Sequence, residues 1–205
     1  MPAMPIRDRQ AERRSATRRE IVDAAWEIAR RDGLAAVTLR EVASLVGMQS
    51  PSLYTHFASK NAIFDAMFGQ AWAEFLAVSD HLEQSIPKAP RKALLVMVRA
   101  FVDFALADPA RFQLMNQRVV PDFEPTADAY APSLRVMALF RERLARIGVR
   151  ADVDVDLCVA IIGGLVDAQL ANDPGGARWT RQLRRAMDMF ADEVGLSGPR
   201  LRSKR

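Results

Sequence analysis

The chain has 205 residues, half of them hydrophobic and 26% charged, which gives it enough apolar side chain for a sizeable core and excludes a disordered chain. A single cysteine, Cys158, excludes an internal disulfide framework or a cysteine-built zinc site, and the longest apolar run, Leu157 to Val166, is half the roughly twenty residues that a bilayer requires. The net charge of +4 is unevenly spread: ten Lys/Arg against seven Asp/Glu over 1–60, fifteen against eighteen over 61–196, and four against none over 197–205. A basic head and tail suit a polyanionic partner and equally suit two solvated ends; charge alone does not separate the two.

Strand-like alternation is absent, and helical punctuation recurs. Thr17-x-x-Glu20 forms a capping box, followed at helical spacing by Ile21, Ala24, Ala25 and Ile28 and stopped at Gly33. A second box, Thr38-x-x-Glu41, opens a short helix with Leu39, Val42, Ala43 and Val46 on one face, closed by Gly47. Ser50-Pro51 starts a third helix, serine as cap and proline in the first turn. Ser59 caps a long fourth helix with an apolar stripe from Ile63 to Leu82. Past Pro87 the pattern predicts helices at about 91–107 and from Asp108-Pro109 through Asn116, then a loop carrying Pro121, Pro125 and Pro132. A helix marked by Leu134, Met137, Phe140, Leu144 and Ile147 follows, then two more at about 152–172 and 177–194. The expected fold is therefore all-α, in two parts: three short helices, then a larger C-terminal bundle.

The second and third helices, joined by Gly47-Met48-Gln49, have the proportions of a helix-turn-helix over about 38–57. A helix that enters a major groove about 12 Å wide must be short-flanked and braced by its predecessor. Leu53 and Phe57 fall on the inner side, and Pro51, Ser52, Tyr54 and Thr55 on an outer face without acidic residues. An ordinary three-helix core with a neutral outer face has the same spacing.

The stretch TRREIVDAAWEIARRDGLAAVTLREVASLVGMQSPSLYTHFASKNAIFDAMF, residues 17–68, resembles the DNA-binding domain of the tetracycline-repressor (TetR) family. Thr38-Leu39-Arg40-Glu41-Val42-Ala43, Gly47, Leu53-Tyr54-x-His56-Phe57 and Ser59-Lys60 carry the resemblance. It implies a flexible basic arm over 1–14, an N-terminal three-helix DNA-binding domain over 15–75, a ligand-binding and dimerisation domain over 76–196 and a basic tail over 197–205. It also implies roles. Thr38 would cap its helix or place a hydroxyl on a phosphate. Arg40 would bond guanine, hold a phosphate or pair on the surface. Gln49, Ser50, Pro51 and Ser52 lie at the groove end of the reading helix, Gln49 suited to adenine and Ser50 doubling as a cap. Tyr54 would meet the backbone or a thymine methyl, and Thr55 a base or phosphate. His56 and Lys60 would hold phosphates, Lys60 aided by the helix start behind it. Arg13, Arg14, Arg18 and Arg19 offer further phosphate contacts from the arm, or a solvated basic surface.

For the larger domain the resemblance implies a dimer built from the last two helices. The seam would run along Leu157, Ile161, Gly164, Leu165 and Ala168, completed by Leu183, Met187 and Phe190. Mid-helix glycine costs about 1 kcal/mol relative to alanine, so the Gly163-Gly164 pair suits close approach of another helix, in the same chain or a copy, or a local kink. Two reading helices about 34–36 Å apart would read a near-palindrome in successive grooves. Met67, Phe68, Phe75, Phe101, Phe104, Phe112, Met115 and Met137 either line an adaptable pocket for an apolar or amphipathic small-molecule effector or simply pack as core.

An enzyme is not expected. The two histidines are His56, inside the motif, and His81, and no metalloprotease, nucleophile-elbow, P-loop or dinucleotide pattern occurs. No cofactor and no metal is expected, Cys158 reads as an inert core thiol, and the N-terminus has no apolar stretch of a secretory signal. The reading is a cytoplasmic, homodimeric regulator of operator DNA, a repressor released by an effector. The alternatives are an activator, an effector-independent regulator, or a helical adaptor without DNA binding.

Overall fold

The computed structural model describes residues 6–201, with side chains from Arg9 onward. All regular structure among them is helical: α1 (Ile6–Asp32), α2 (Leu39–Leu45), α3 (Ser50–Leu53), α4 (Lys60–Leu82), α5 (Pro90–Ala107), α6 (Pro109–Asn116), α7 (Ala127–Ile147), α8 (Asp152–Asn172) and α9 (Leu183–Glu193), with 3₁₀ turns at Leu34–Ala36, Glu83–Ser85 and Thr180–Gln182. The all-α expectation is borne out, and most boundaries fall where caps, prolines and glycines put them.

Two boundaries differ. The Thr17 box does not start a helix: α1 is already helical from Ile6, and Thr17 Oγ1 donates back to the Arg13 carbonyl at 3.1 Å. The first five residues of the expected arm and the last four of the expected tail lie outside the described residues. Pro132, expected in a loop, sits inside α7. The helix starts early because Thr126 Oγ1 accepts from the Ala129 amide at 3.3 Å, and Pro132 near the start leaves only the Asp128 carbonyl without its helical donor.

The chain forms two compact units. One comprises residues up to Ala71 together with Ala110–Ala131; the other comprises Trp72–Pro109 and Pro132 onward. The first unit buries Ile21, Ala25 and Ile28 of α1, Val37, Val42 and Ala43 around α2, Leu53 and Phe57, and Ile63, Phe64 and Met67 of α4. The segment 110–131 joins it through named contacts. Asp65 accepts from the Thr126 amide and hydroxyl at 2.7 and 2.9 Å, Asn61 donates to the Asp122 carbonyl at 2.9 Å, and Phe123 lies against Phe64 and Phe68. Gly69 permits α7 to come close: a Cβ there would sit 3.3 Å from the Ala129 Cα.

In the second unit α5, α8 and α9 pack on one another around Leu94, Val98, Val102, Val155, Cys158, Ile162, Val166, Leu183, Met187 and Phe190. Two ion clusters tie its helices. Arg143, 5% exposed, bonds Ser79 and Glu83, and Arg146 pairs with the same carboxylate at 2.6 Å. Arg91 of α5 reaches Asp188 at 3.3 Å, Asp192 at 2.6 Å and the Leu196 carbonyl at 3.1 Å. The described part of the basic tail is anchored rather than solvated: Leu201 is buried, and its amide donates to both Asp188 oxygens, at 3.0 and 2.9 Å.

Candidate nucleic-acid interface

α2 forms because Thr38, in extended backbone, accepts the Glu41 amide on Oγ1 at 3.1 Å, while Val42 and Ala43 face inward. The turn after it depends on Gly47, whose φ of +69° is the left-handed conformation that closes helices. α3 is a single helical turn with Pro51 at its start and Leu53 fully buried. Gln49, not Ser50, occupies its cap position; Ser50 is already helical and half-buried. The backbone continues as turns through Tyr54, Thr55 and His56, then α4 begins with Ser59 Oγ accepting the Ala62 amide at 3.1 Å.

Gln49, Pro51, Ser52, Tyr54 and Thr55 are exposed, Tyr54 at 57%. No acidic residue occurs from Val42 to Lys60, so the surface repels no phosphate. Thr38, the N-cap of α2, and Arg40 in its first turn are exposed. The Thr55 hydroxyl donates to the Ser52 carbonyl at 2.7 Å, which leaves its oxygen as an acceptor only. His56 is half-buried, and its Nδ1 is enclosed without a hydrogen-bond partner among the described residues. Lys60 Nζ lies 5.5 Å from the centre of the Phe64 ring, at the N-terminus of α4.

Two residues behind this surface were offered by the sequence only as arm cations. Arg14 donates to the Thr55 carbonyl at 3.2 Å, and Arg18 donates to the His56 carbonyl while its guanidinium stacks 4.0 Å from the Phe57 ring centre. The only sequence signal for them is their four-residue spacing on one helix face.

The eight residues grouped by sequence as a pocket divide between the units. Met67, Phe68, Phe112 and Met115 are buried in the first; Phe75, Phe101, Phe104 and Met137 belong to the second. Phe75 there touches Phe101 edge-on at 5.1 Å and Phe104 at 5.0 Å.

On α8, Leu157 is 44% exposed, Gly164 is exposed, and Ile161, Leu165 and Ala168 are half-buried, whereas the opposite face is core. A Cβ on Gly163 or Gly164 would meet nothing within 4 Å, so no helix of this chain explains either glycine. Leu183, Met187 and Phe190 require a correction: at 0, 0 and 2% exposure they pack inside their own chain and offer no surface for a seam. The sequence showed an apolar face on α9 but not which neighbour covers it. Cys158 is likewise enclosed, and burial pushes its thiol up to about 12, where it is no nucleophile at neutral pH. No helix among the described residues is long and apolar enough to cross a membrane, and they hold no cluster of metal-ligating side chains.

Comparison with known proteins agrees with this geometry. Residues 21–67 match the bacterial regulatory proteins of the tetR family, and residues 94–195 match the tetracyclin repressor-like C-terminal domain. The tetracycline repressor protein class A from transposon 1721 of Escherichia coli is 30% identical over 192 residues, 85% of this chain and 81% of that protein. Among solved structures, the TetR family transcriptional regulator PfmR of Thermus thermophilus superposes with a TM-score of 0.61 at 22% identity, over 83% of this chain and 96% of that one. The transcriptional regulator FadR of Bacillus subtilis, solved in complex with stearoyl-CoA, has a TM-score of 0.61 at 14% identity over the same shares. With a helix-turn-helix at residues 38–57 and a larger helical domain after it, both matched by the same family, the chain belongs to the TetR family of transcriptional regulators.

Proposed function

We propose that two copies of this chain form a repressor that reads a near-palindromic operator and leaves it when a small molecule binds the C-terminal domain. The acid-free, exposed Pro51-Ser52-Tyr54-Thr55 surface, on α3 and the turn that follows it, carries the DNA reading, with Arg40 of α2 and Lys60 of α4 as further cations. Small side chains there let the backbone approach base edges, Tyr54 supplies apolar contact with thymine methyls or sugar, and Lys60 and His56 meet phosphates. The exposed apolar stripe of α8 with its two open glycines supports pairing of copies, because no atom among the described residues lies within 4 Å of a Cβ at either glycine. The ring cluster of Phe75, Phe101 and Phe104 supports an apolar or amphipathic effector, the kind of molecule that the FadR neighbour holds. Release requires that the effector bind the DNA-incompetent state more tightly than the competent one. The residues present serve binding rather than turnover, and the protein is no enzyme.

The test begins with a duplex selected by the purified protein from a random-sequence library. The Tyr54→Ala, Lys60→Ala double variant is expected to lose specific binding to that duplex while keeping its circular dichroism and sedimentation. Raising salt from about 50 to 200 mM should weaken wild-type binding by roughly a thousandfold if six or so phosphates are contacted. Unchanged affinity in the variant, or a flat salt response, would remove this surface as the DNA site.

A further inference from the structure

We infer that Arg14 and Arg18 of α1 are positioning residues for the reading helix rather than phosphate contacts, and that they determine its specificity; this rests on the DNA-binding reading above. α3 spans one helical turn, too short to hold its own orientation, since a first turn fixes several dihedrals for one hydrogen bond. The carbonyls at the end of a helix lack partners from within it. The Ser52 and Leu53 carbonyls are taken by local donors: Ser52 by the Thr55 amide and hydroxyl, Leu53 by the His56 and Phe57 amides. Further along the turn, the carbonyls of Thr55 and His56 are taken by guanidinium groups from residues 41 and 38 positions earlier in the chain. Arg18 is fixed a second time by the Phe57 ring, itself 2% exposed and anchored in the core. The reading segment is thus held between its buried Leu53 and Phe57 and a pair of charged donors on a 27-residue helix. A guanidinium committed to a carbonyl and a ring points toward its own protein, and its planar, directional donors are what lysine lacks.

Salt dependence separates the two roles. Loss of a phosphate contact lowers the slope of log affinity against log salt by about one and weakens binding to any sequence; loss of a positioning contact leaves the slope and costs discrimination. Arg18→Lys keeps the charge and removes the stacked plane, so it is informative even if Arg18→Ala does not fold. With the selected duplex and a scrambled one, Arg18→Lys and Arg14→Ala should each cut operator affinity by about tenfold, the size of one lost charge-assisted hydrogen bond. Affinity for the scrambled duplex and the salt slope should stay at wild-type values. Wild-type discrimination in Arg18→Lys, or a slope reduced by about one in Arg14→Ala, would overturn the inference. If the unaltered protein selects no duplex, the DNA reading itself falls and this inference with it, a result distinct from either of those.

Discussion

Glu83 shows how a surface carboxylate becomes a structural fastener. Hydrogen bonds from Arg146 and then Arg143 hold it down at about 2, against an ordinary value near 4.5. Because the folded value is the lower one, its contribution is present above about pH 4.5 and is lost as pH falls through about 2. Glu83→Gln should therefore lower the urea midpoint at pH 7, and its difference from wild type should close over that acid interval. A constant difference down to pH 2 would mean that packing, not charge, is what the side chain supplies. At the same scale Asp192 is held below its usual range by the hydrogen bond from Arg91 and then that from Arg200. Neither the Glu83–Arg143 nor the Asp192–Arg91 pairing was visible in sequence, since those partners lie 60 and 101 residues apart.

At the level of elements, local chemistry explains most helix ends. Thr38 is a cap whose hydroxyl oxygen already accepts the Glu41 amide. Thr38→Ala should lower the free energy of unfolding by about 1 kcal/mol, and Thr38→Ser should restore it, as read in urea titrations. A full loss of operator binding with unchanged stability would instead make Thr38 a phosphate contact alone. The elements that sequence misplaced are those in which a distant residue supplies the partner. Thr126 opens α7 early while its own amide and hydroxyl are gripped by Asp65 of α4. The capping-box pattern at Thr17 was present in a chain that was already helical, where a hydroxyl bonds back instead of capping.

Across the whole molecule, the two faces of α8 matter most. Both are apolar, so the sequence could not say which one the chain covers itself. Val155, Cys158, Ile162 and Val166 are enclosed, and Leu157 and Gly164 are open. If copies pair on the open face, Gly164→Leu should shift sedimentation toward the monomer and weaken operator binding, since two reading helices act together. It should leave the fold of each chain intact, because position 164 is exposed and a Cβ there meets nothing within 4 Å. Retention of the wild-type sedimentation coefficient would place the interface elsewhere. The all-helical class, the two-part organisation and the helix-turn-helix with its outward residues were legible from residue order, because caps, glycines, prolines and the 3.6-residue period act over a few neighbours. Folding in three dimensions was needed to join residues 110–131 to the first unit, to turn Leu183, Met187 and Phe190 of α9 inward, and to bring Arg14 and Arg18 to the reading helix. Periodicity reports that a face is apolar, or a cation available; what covers the one or binds the other depends on chain brought close from far along the sequence.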